Sequence, residues 1–133
     1  MNDQKSLWNS VHTKENTRAI AANQTQFAEE VLQIIPQNSH ILELGCGVGN
    51  DSVVFANSGH TVLATDFSQA VIQKNIAFYK HLPDVIFKVL DMTEPINLLD
   101  NTFDVVYARL SLHYFTDEVT RTIIREVLRV LKP

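Results

Sequence analysis

One cysteine, Cys46, is all that the 133 residues contain, so the chain can form no intrachain disulfide and carries no C-x-x-C zinc pair. That scarcity fits a reducing compartment, and the cytoplasm is the expected location. No apolar run approaches the roughly 18 to 20 residues needed to cross a bilayer. Residues 1–10 are polar and lack the apolar stretch of a secretory signal, so neither a membrane span nor a leader is expected. Basic residues are outnumbered, 11 Lys and Arg against 15 Asp and Glu, for a formal net charge of −4. This removes the whole-surface attraction for a polyanion and argues against nucleic acid as a partner. The five histidines, His12, His40, His60, His81 and His113, share no ligand-like spacing, so no metal site is expected. Repeats and low-complexity tracts are absent, and 45% hydrophobic with 20% charged residues is ordinary globular composition for a single domain. Glycine is scarce as well, yet three of the four fall within residues 45–49.

Hydropathy alternates between two periods along the chain. From Thr25 a helical spacing places Phe27, Val31 and Ile34 on one face, with Pro36 as its stop. Residues 40–44 (HILEL) read as a buried strand, residues 50–57 as a short helix closed by Gly59, and residues 61–65 as a second strand. Ser68 is placed to cap a helix carrying Val71, Ile72, Ile76, Tyr79 and Leu82, with Pro83 beyond it. A third strand is expected over residues 85–90 and a fourth over residues 103–108. Thr116 then caps a helix with Asp117 and Glu118 in its first turn and an apolar stripe of Val119, Ile123, Val127 and Val130. Strands alternating with helices, each strand a nearly continuous apolar run, predict a doubly wound α/β fold. Its sheet would be mostly parallel, with helices on both faces.

The chemistry is concentrated in Glu43-Leu-Gly45-Cys-Gly47-Val-Gly49-Asn50, where the first strand ends and a helix begins. In open α/β sheets ligands bind beyond the carboxyl ends of the strands, and glycines there let the backbone approach them closely. Asp66 ends the second strand 21 residues after Gly45, where an acid can accept both hydroxyls of a ribose. A nucleoside-bearing cofactor follows from that spacing. A dinucleotide wants G-x-G-x-x-G/A, but the third small position here is Asn50 and the glycines run G-x-G-x-G. Glu43 would oppose a pyrophosphate and suit a ligand carrying an ammonium and a sulfonium. A nicotinamide-dependent oxidoreductase is therefore disfavoured.

These residues resemble the motifs of class I S-adenosylmethionine-dependent methyltransferases. The resemblance runs through Ile41-Leu-Glu-Leu-Gly-Cys-Gly-Val-Gly49, Leu63-Ala-Thr-Asp-Phe-Ser68 and Leu90-Asp-Met92. It continues in Phe103-Asp-Val-Val-Tyr-Ala-Arg-Leu-Ser-Leu-His113 and Leu128-Arg-Val-Leu-Lys-Pro133, all in family order. It implies a Rossmann-like fold with strand order 3-2-1-4, the family's strands five to seven lying outside these residues. It implies one domain over 1–133, with 1–36 a helical or lid segment (Trp8, His12 and Arg18 its candidates) and 37–133 the core.

The resemblance also implies S-adenosyl-L-methionine as cofactor and S-adenosyl-L-homocysteine as product. Gly45, Cys46, Gly47 and Gly49 would form the turn beneath the methionyl part, with Glu43 contacting that end. Asp66 would take the ribose hydroxyls and Phe67 would lie against the adenine. Asp91 would accept the adenine amine while the Met92 backbone reads the ring edge. Ala108 and Arg109 would flank the methionyl group and the reacting methyl. Blander roles exist for several of these: a capping acid for Asp66, turn chemistry for Asp91, core packing for Phe67. Cys46 has no base beside it and is not a nucleophile candidate. His113 and Tyr114, after the fourth strand, are the candidates for contact with the acceptor or for a general base. The expected activity is methyl transfer to a small molecule. The alternative is a cofactor- or partner-binding module without turnover. An uncovered fourth-strand edge would invite self-association.

Overall fold

The computed structural model describes residues 25–133, so Trp8, His12 and Arg18 lie outside the described residues. The elements in chain order are α1 (Gln26–Leu32), β1 (His40–Leu44), α2 (Asn50–Asn57), β2 (Thr61–Asp66), α3 (Gln69–Phe78), β3 (Val85–Val89), β4 (Val105–Tyr107), a 3₁₀ turn (Leu112–Tyr114) and α4 (Asp117–Val130). The four strands form one sheet in the order β3-β2-β1-β4, and every pairing is parallel. This is the doubly wound order expected. It reverses at β1, so the crevice between the loops leaving β1 and β4 is the topological switch point where such sheets bind ligands.

Side-chain alternation along β1 divides the core in two. Ile41 faces a cluster with Ala28 of α1, Phe55 and Ala56 of α2, Val71 and Ile72 of α3, and Val62, Ala64 and Phe87 of the sheet. Leu42 and Leu44 belong to the opposite cluster, with Met92, Phe103, and Ile123 and Val130 of α4. Helices thus cover both faces. The α4 stripe is as the spacing predicted: Ile123 and Val130 are fully buried, and Val119 and Val127 pack beside them. Its cap is Thr116, whose hydroxyl accepts the Val119 N–H at 3.3 Å. Arg129 ties α4 to the loop after Met92, donating to the Ile96 and Leu98 carbonyls and to Asp100, each at 2.7 Å.

Several expectations are corrected. The face of α1 turned inward carries Ala28, with Val31, Leu32 and Ile35 against the core, whereas Phe27 and Ile34 are 47% and 81% exposed. The helix ends at Leu32 rather than at Pro36, because Gln33 and Ile34 tighten to i→i+3 bonds on Glu30 and Val31. The residue before a proline resists helical dihedrals, so the chain leaves the helix early. On α3 the third inward residue is Asn75, fully buried, and Ile76 is exposed.

β3 stops at Val89 and is covered on one side only, with Val85 and Phe87 buried and Ile86, Lys88 and Val89 exposed. As an edge strand it alternates instead of running continuously apolar. β4 is cut to three residues. Asp104 turns its carboxylate onto the His40 N–H at 2.7 Å, a side-chain substitute for ladder pairing. Phe103 bridges in parallel to Leu131, and the Lys132 N–H donates to the Phe103 carbonyl at 2.9 Å. The start of the fourth-strand edge is therefore covered, not open as expected. Among the described residues no helix is long and apolar enough to cross a membrane.

Candidate functional site

Residues 45–49 form the turn from β1 into α2, and all three glycines take positive φ (74°, 54° and 84°), a region closed to most side chains. Two of them are also packed against neighbours. A Cβ on Gly45 would stand 2.7 Å from the Cβ of Ser111, and one on Gly49 would stand 2.9 Å from the Phe87 ring. The loop after β4 thus rests directly on the turn, and the Ser111 hydroxyl donates to the Leu44 carbonyl at 3.2 Å.

The middle of the turn is pinned from two sides. The Gly47 N–H donates to Asp66 Oδ2 at 3.0 Å, and the Gly47 carbonyl accepts from Asn75 Nδ2 at 2.7 Å. Asp66 takes the Ser68 N–H on its other oxygen at 2.9 Å. The helix cap itself is Ser68, whose hydroxyl accepts the Val71 N–H at 3.3 Å. Asp66 is therefore a buried carboxylate spanning the β1–α2 and β2–α3 loops. Cys46 donates its backbone N–H to the Thr65 carbonyl at 2.8 Å and is buried, and burial pushes its thiol well above the ordinary range. That suppresses a thiolate there.

Glu43 occupies a central position of β1, in register between Ala64 and Tyr107, and is 3% exposed. Its carboxyl accepts the Ser52 hydroxyl of α2. Burial pushes it up to about 8; the Ser52 hydrogen bond and Arg109 pull it down, and the Asp51 and Asp66 carboxyls push it further up. Beside it, Asp51 Oδ2 accepts both the Tyr107 hydroxyl at 2.8 Å and Arg109 Nε at 3.0 Å. Burial, reinforced by the bond to Asp51, raises the Tyr107 phenol far above its ordinary range. Three carboxyls thus surround the turn, with the Arg109 guanidinium among them.

Residues 41–133 match the family model described as "Methyltransferase domain". The chain belongs to that family, the class I Rossmann-like methyltransferases. A wheat (Triticum aestivum) phosphoethanolamine N-methyltransferase 1 is 33% identical over 108 residues, spanning 78% of this chain and 22% of the relative. The Haemonchus contortus phosphoethanolamine N-methyltransferase 1, solved with phosphoethanolamine and S-adenosylhomocysteine, superposes with a TM-score of 0.82 at 20% identity, over 98% of this chain and 30% of that one. The PH0226 protein of Pyrococcus horikoshii gives a TM-score of 0.76 at 28% identity, over 92% and 56%. The chain accordingly spans 21% to 28% of the length of the curated relatives it first matches.

In this methyltransferase domain the expected site residues fall into two groups. Glu43, the three glycines, Cys46, Asp66 and Arg109 converge on the turn. Asp91 and Met92 follow β3. Asp91 Oδ1 accepts the N–H and hydroxyl of Thr93 at 3.0 and 2.6 Å, and the Met92 side chain is buried in the α4-side core. Phe67 is half-buried and is not among the residues of either core cluster. Ala108 packs against the α4-side core. His113 and Tyr114 are exposed, their rings 4.0 Å apart between centroids. Sequence reasoning missed Asp51, Ser52, Asn75, Tyr107 and Ser111. The available signal was polarity at inward helix positions: Ser52 and Asn75 sit where the helical period calls for apolar residues.

Proposed function

We propose that this domain binds S-adenosyl-L-methionine over the glycine turn and transfers its methyl group to a small nucleophilic acceptor. The observation that carries the reading is the turn itself, three left-handed glycines clamped between Asp66 and Asn75 at the switch point of the sheet. A side chain at Gly45 or Gly49 would collide with Ser111 or Phe87 and distort the turn, and the acids around it fit a ligand with a nucleoside and a cationic tail. Asp66 would hold the ribose and Phe67 would face the adenine. Asp91 and the Met92 backbone would read the base edge, and Glu43, Ala108 and Arg109 would line the methionyl end.

The cofactor supplies an already reactive sulfonium methyl, so the residues here bind it, orient it and exclude water. The acceptor would take the methyl in line as its bond to sulfur breaks, releasing S-adenosylhomocysteine, and an acceptor that must first lose a proton would present it to His113 or Tyr114 after β4. The relatives named for phosphoethanolamine support a small amine as acceptor. Calorimetric titration with S-adenosylmethionine and S-adenosylhomocysteine tests the reading, with NAD as control. Micromolar binding of the first two and none of NAD is expected. Binding of NAD, or no binding by the folded chain, refutes it. Binding without transfer to small amines would favour the module without turnover.

A further inference from the structure

Asp51 lies in the first turn of α2, two residues beyond Gly49, and is 6% exposed. Its two carboxyl oxygens are treated very differently. Oδ2 carries both the Tyr107 hydroxyl and Arg109 Nε, whereas Oδ1 is buried with no hydrogen-bond partner among the described residues. A buried carboxyl oxygen without a donor is costly, and most such atoms in folded proteins are paired. Here the missing donor has a place to come from. The Asp51–Arg109 ion pair joins the first turn of α2 to the loop leaving β4, across the crevice at the switch point.

The ligand's direction follows from the strand order. Asp66 ends β2 and Asp91 follows β3, on one side of β1, so on the cofactor reading the nucleoside end of the cofactor lies there and its amino-acid end extends over β1 toward β4. We propose that Asp51 receives the cationic α-amino group of the cofactor on Oδ1, with Tyr107 and Arg109 fixing the carboxyl for that purpose. The inference rests on the cofactor reading above. Glu43 is the other carboxyl beside the turn, but its Oε2 already accepts the Ser52 hydroxyl inside the β1–α2 interface, and neither of its oxygens is a buried acceptor left without a donor. Asp51 combines a fixed orientation with an unused acceptor. Its partners add to the case. Tyr107 is wedged by Phe55 and Phe27, with ring centroids at 4.9 and 5.8 Å, so its hydroxyl cannot swing away and Oδ2 stays occupied. A positively charged donor is therefore directed to Oδ1.

The test is calorimetry on the full chain with two probes, S-adenosylhomocysteine, which has the amino-acid end, and 5′-methylthioadenosine, which lacks it. In Asp51→Asn the affinity for S-adenosylhomocysteine should fall by about tenfold to a hundredfold, the range for a hydrogen bond to a charged group. Affinity for 5′-methylthioadenosine should stay within about twofold, because that probe never meets Asp51. Equal losses for both probes, or no loss for either, would overturn the assignment of Asp51 while leaving the cofactor reading intact. Failure of the unaltered chain to bind either probe would overturn both. A crystal structure of the unaltered chain with S-adenosylhomocysteine decides the matter even if the variant misfolds. The amino nitrogen should lie within about 3.2 Å of Asp51 Oδ1, and its placement on Glu43 alone would refute the proposal.

Discussion

Replacing Glu43 by Gln should make the domain more stable, and by an amount that grows with pH. The folded chain holds this carboxyl at about 8 against an ordinary value of 4.5, chiefly by burial. The folded state therefore binds the proton more tightly than the unfolded state does. Stability from this group is fully present below about pH 4.5 and is lost as pH rises toward 8. At 1.36 kcal/mol per pH unit the loss is under about 1 kcal/mol at pH 5, about 3 at pH 7 and about 5 at pH 9. The last figure is a ceiling comparable with the whole stability of a small domain. Because the group is 3% exposed, solvent screening does not reduce it much.

Glutamine mimics the protonated acid. Its carbonyl can accept the Ser52 hydroxyl, and it titrates nowhere. Urea unfolding of both proteins from pH 5 to pH 9 is the assay. The two midpoints should nearly coincide at pH 5. The variant's should lead by about 1 M or more at pH 8, at slopes of about 1–3 kcal/mol per M. A pH-independent difference, or an unaltered chain that is the more stable at pH 9, would show that the buried carboxyl is solvated or paired in a way the geometry does not contain.

Gly45→Ala should cost about 2–3 kcal/mol in thermal or urea unfolding, from positive-φ strain and from the 2.7 Å approach to the Ser111 Cβ. Adding Ser111→Gly should return the steric part only. Asn75→Ala removes the donor to the Gly47 carbonyl and should destabilise by about 1–3 kcal/mol, read as a lower melting temperature. Asp66→Ala should weaken S-adenosylhomocysteine binding at least about tenfold by calorimetry; full affinity in that variant would show that the ribose is held elsewhere.

Much of the fold was legible because its signals are local. Apolar strands, the caps Ser68 and Thr116, and the α4 stripe specified the alternation, and the alternation implied the parallel order. Boundaries were less legible where a tertiary partner decided them. β4 is short because Asp104 reaches back to β1, a contact 64 residues away in sequence that no local pattern announces. The inward face of α1 turned on Ala28, which periodicity weighted by bulk passes over in favour of Phe27.

The glycines and Asp66 were legible for a related reason. Glycine and a spaced acid serve the turn's backbone directly, through positive φ and through the Asp66 bond to the Gly47 N–H, so they leave a mark in the sequence itself. Asp51 and Tyr107 act on each other, Ser52 on Glu43 and Asn75 on the Gly47 carbonyl, and their polarity looks like ordinary helix or strand composition until the fold brings these partners together. Their arrangement also accounts for a core position given to Glu43. A buried carboxyl there lowers stability at neutral pH, and a well-packed apolar residue would serve the sheet better. What the carboxyl does supply is negative character, or a proton to release, under a turn whose glycines admit a ligand. On the cofactor reading proposed above, the cost falls on folding and the benefit on binding, which is the pattern of a site and not of a scaffold.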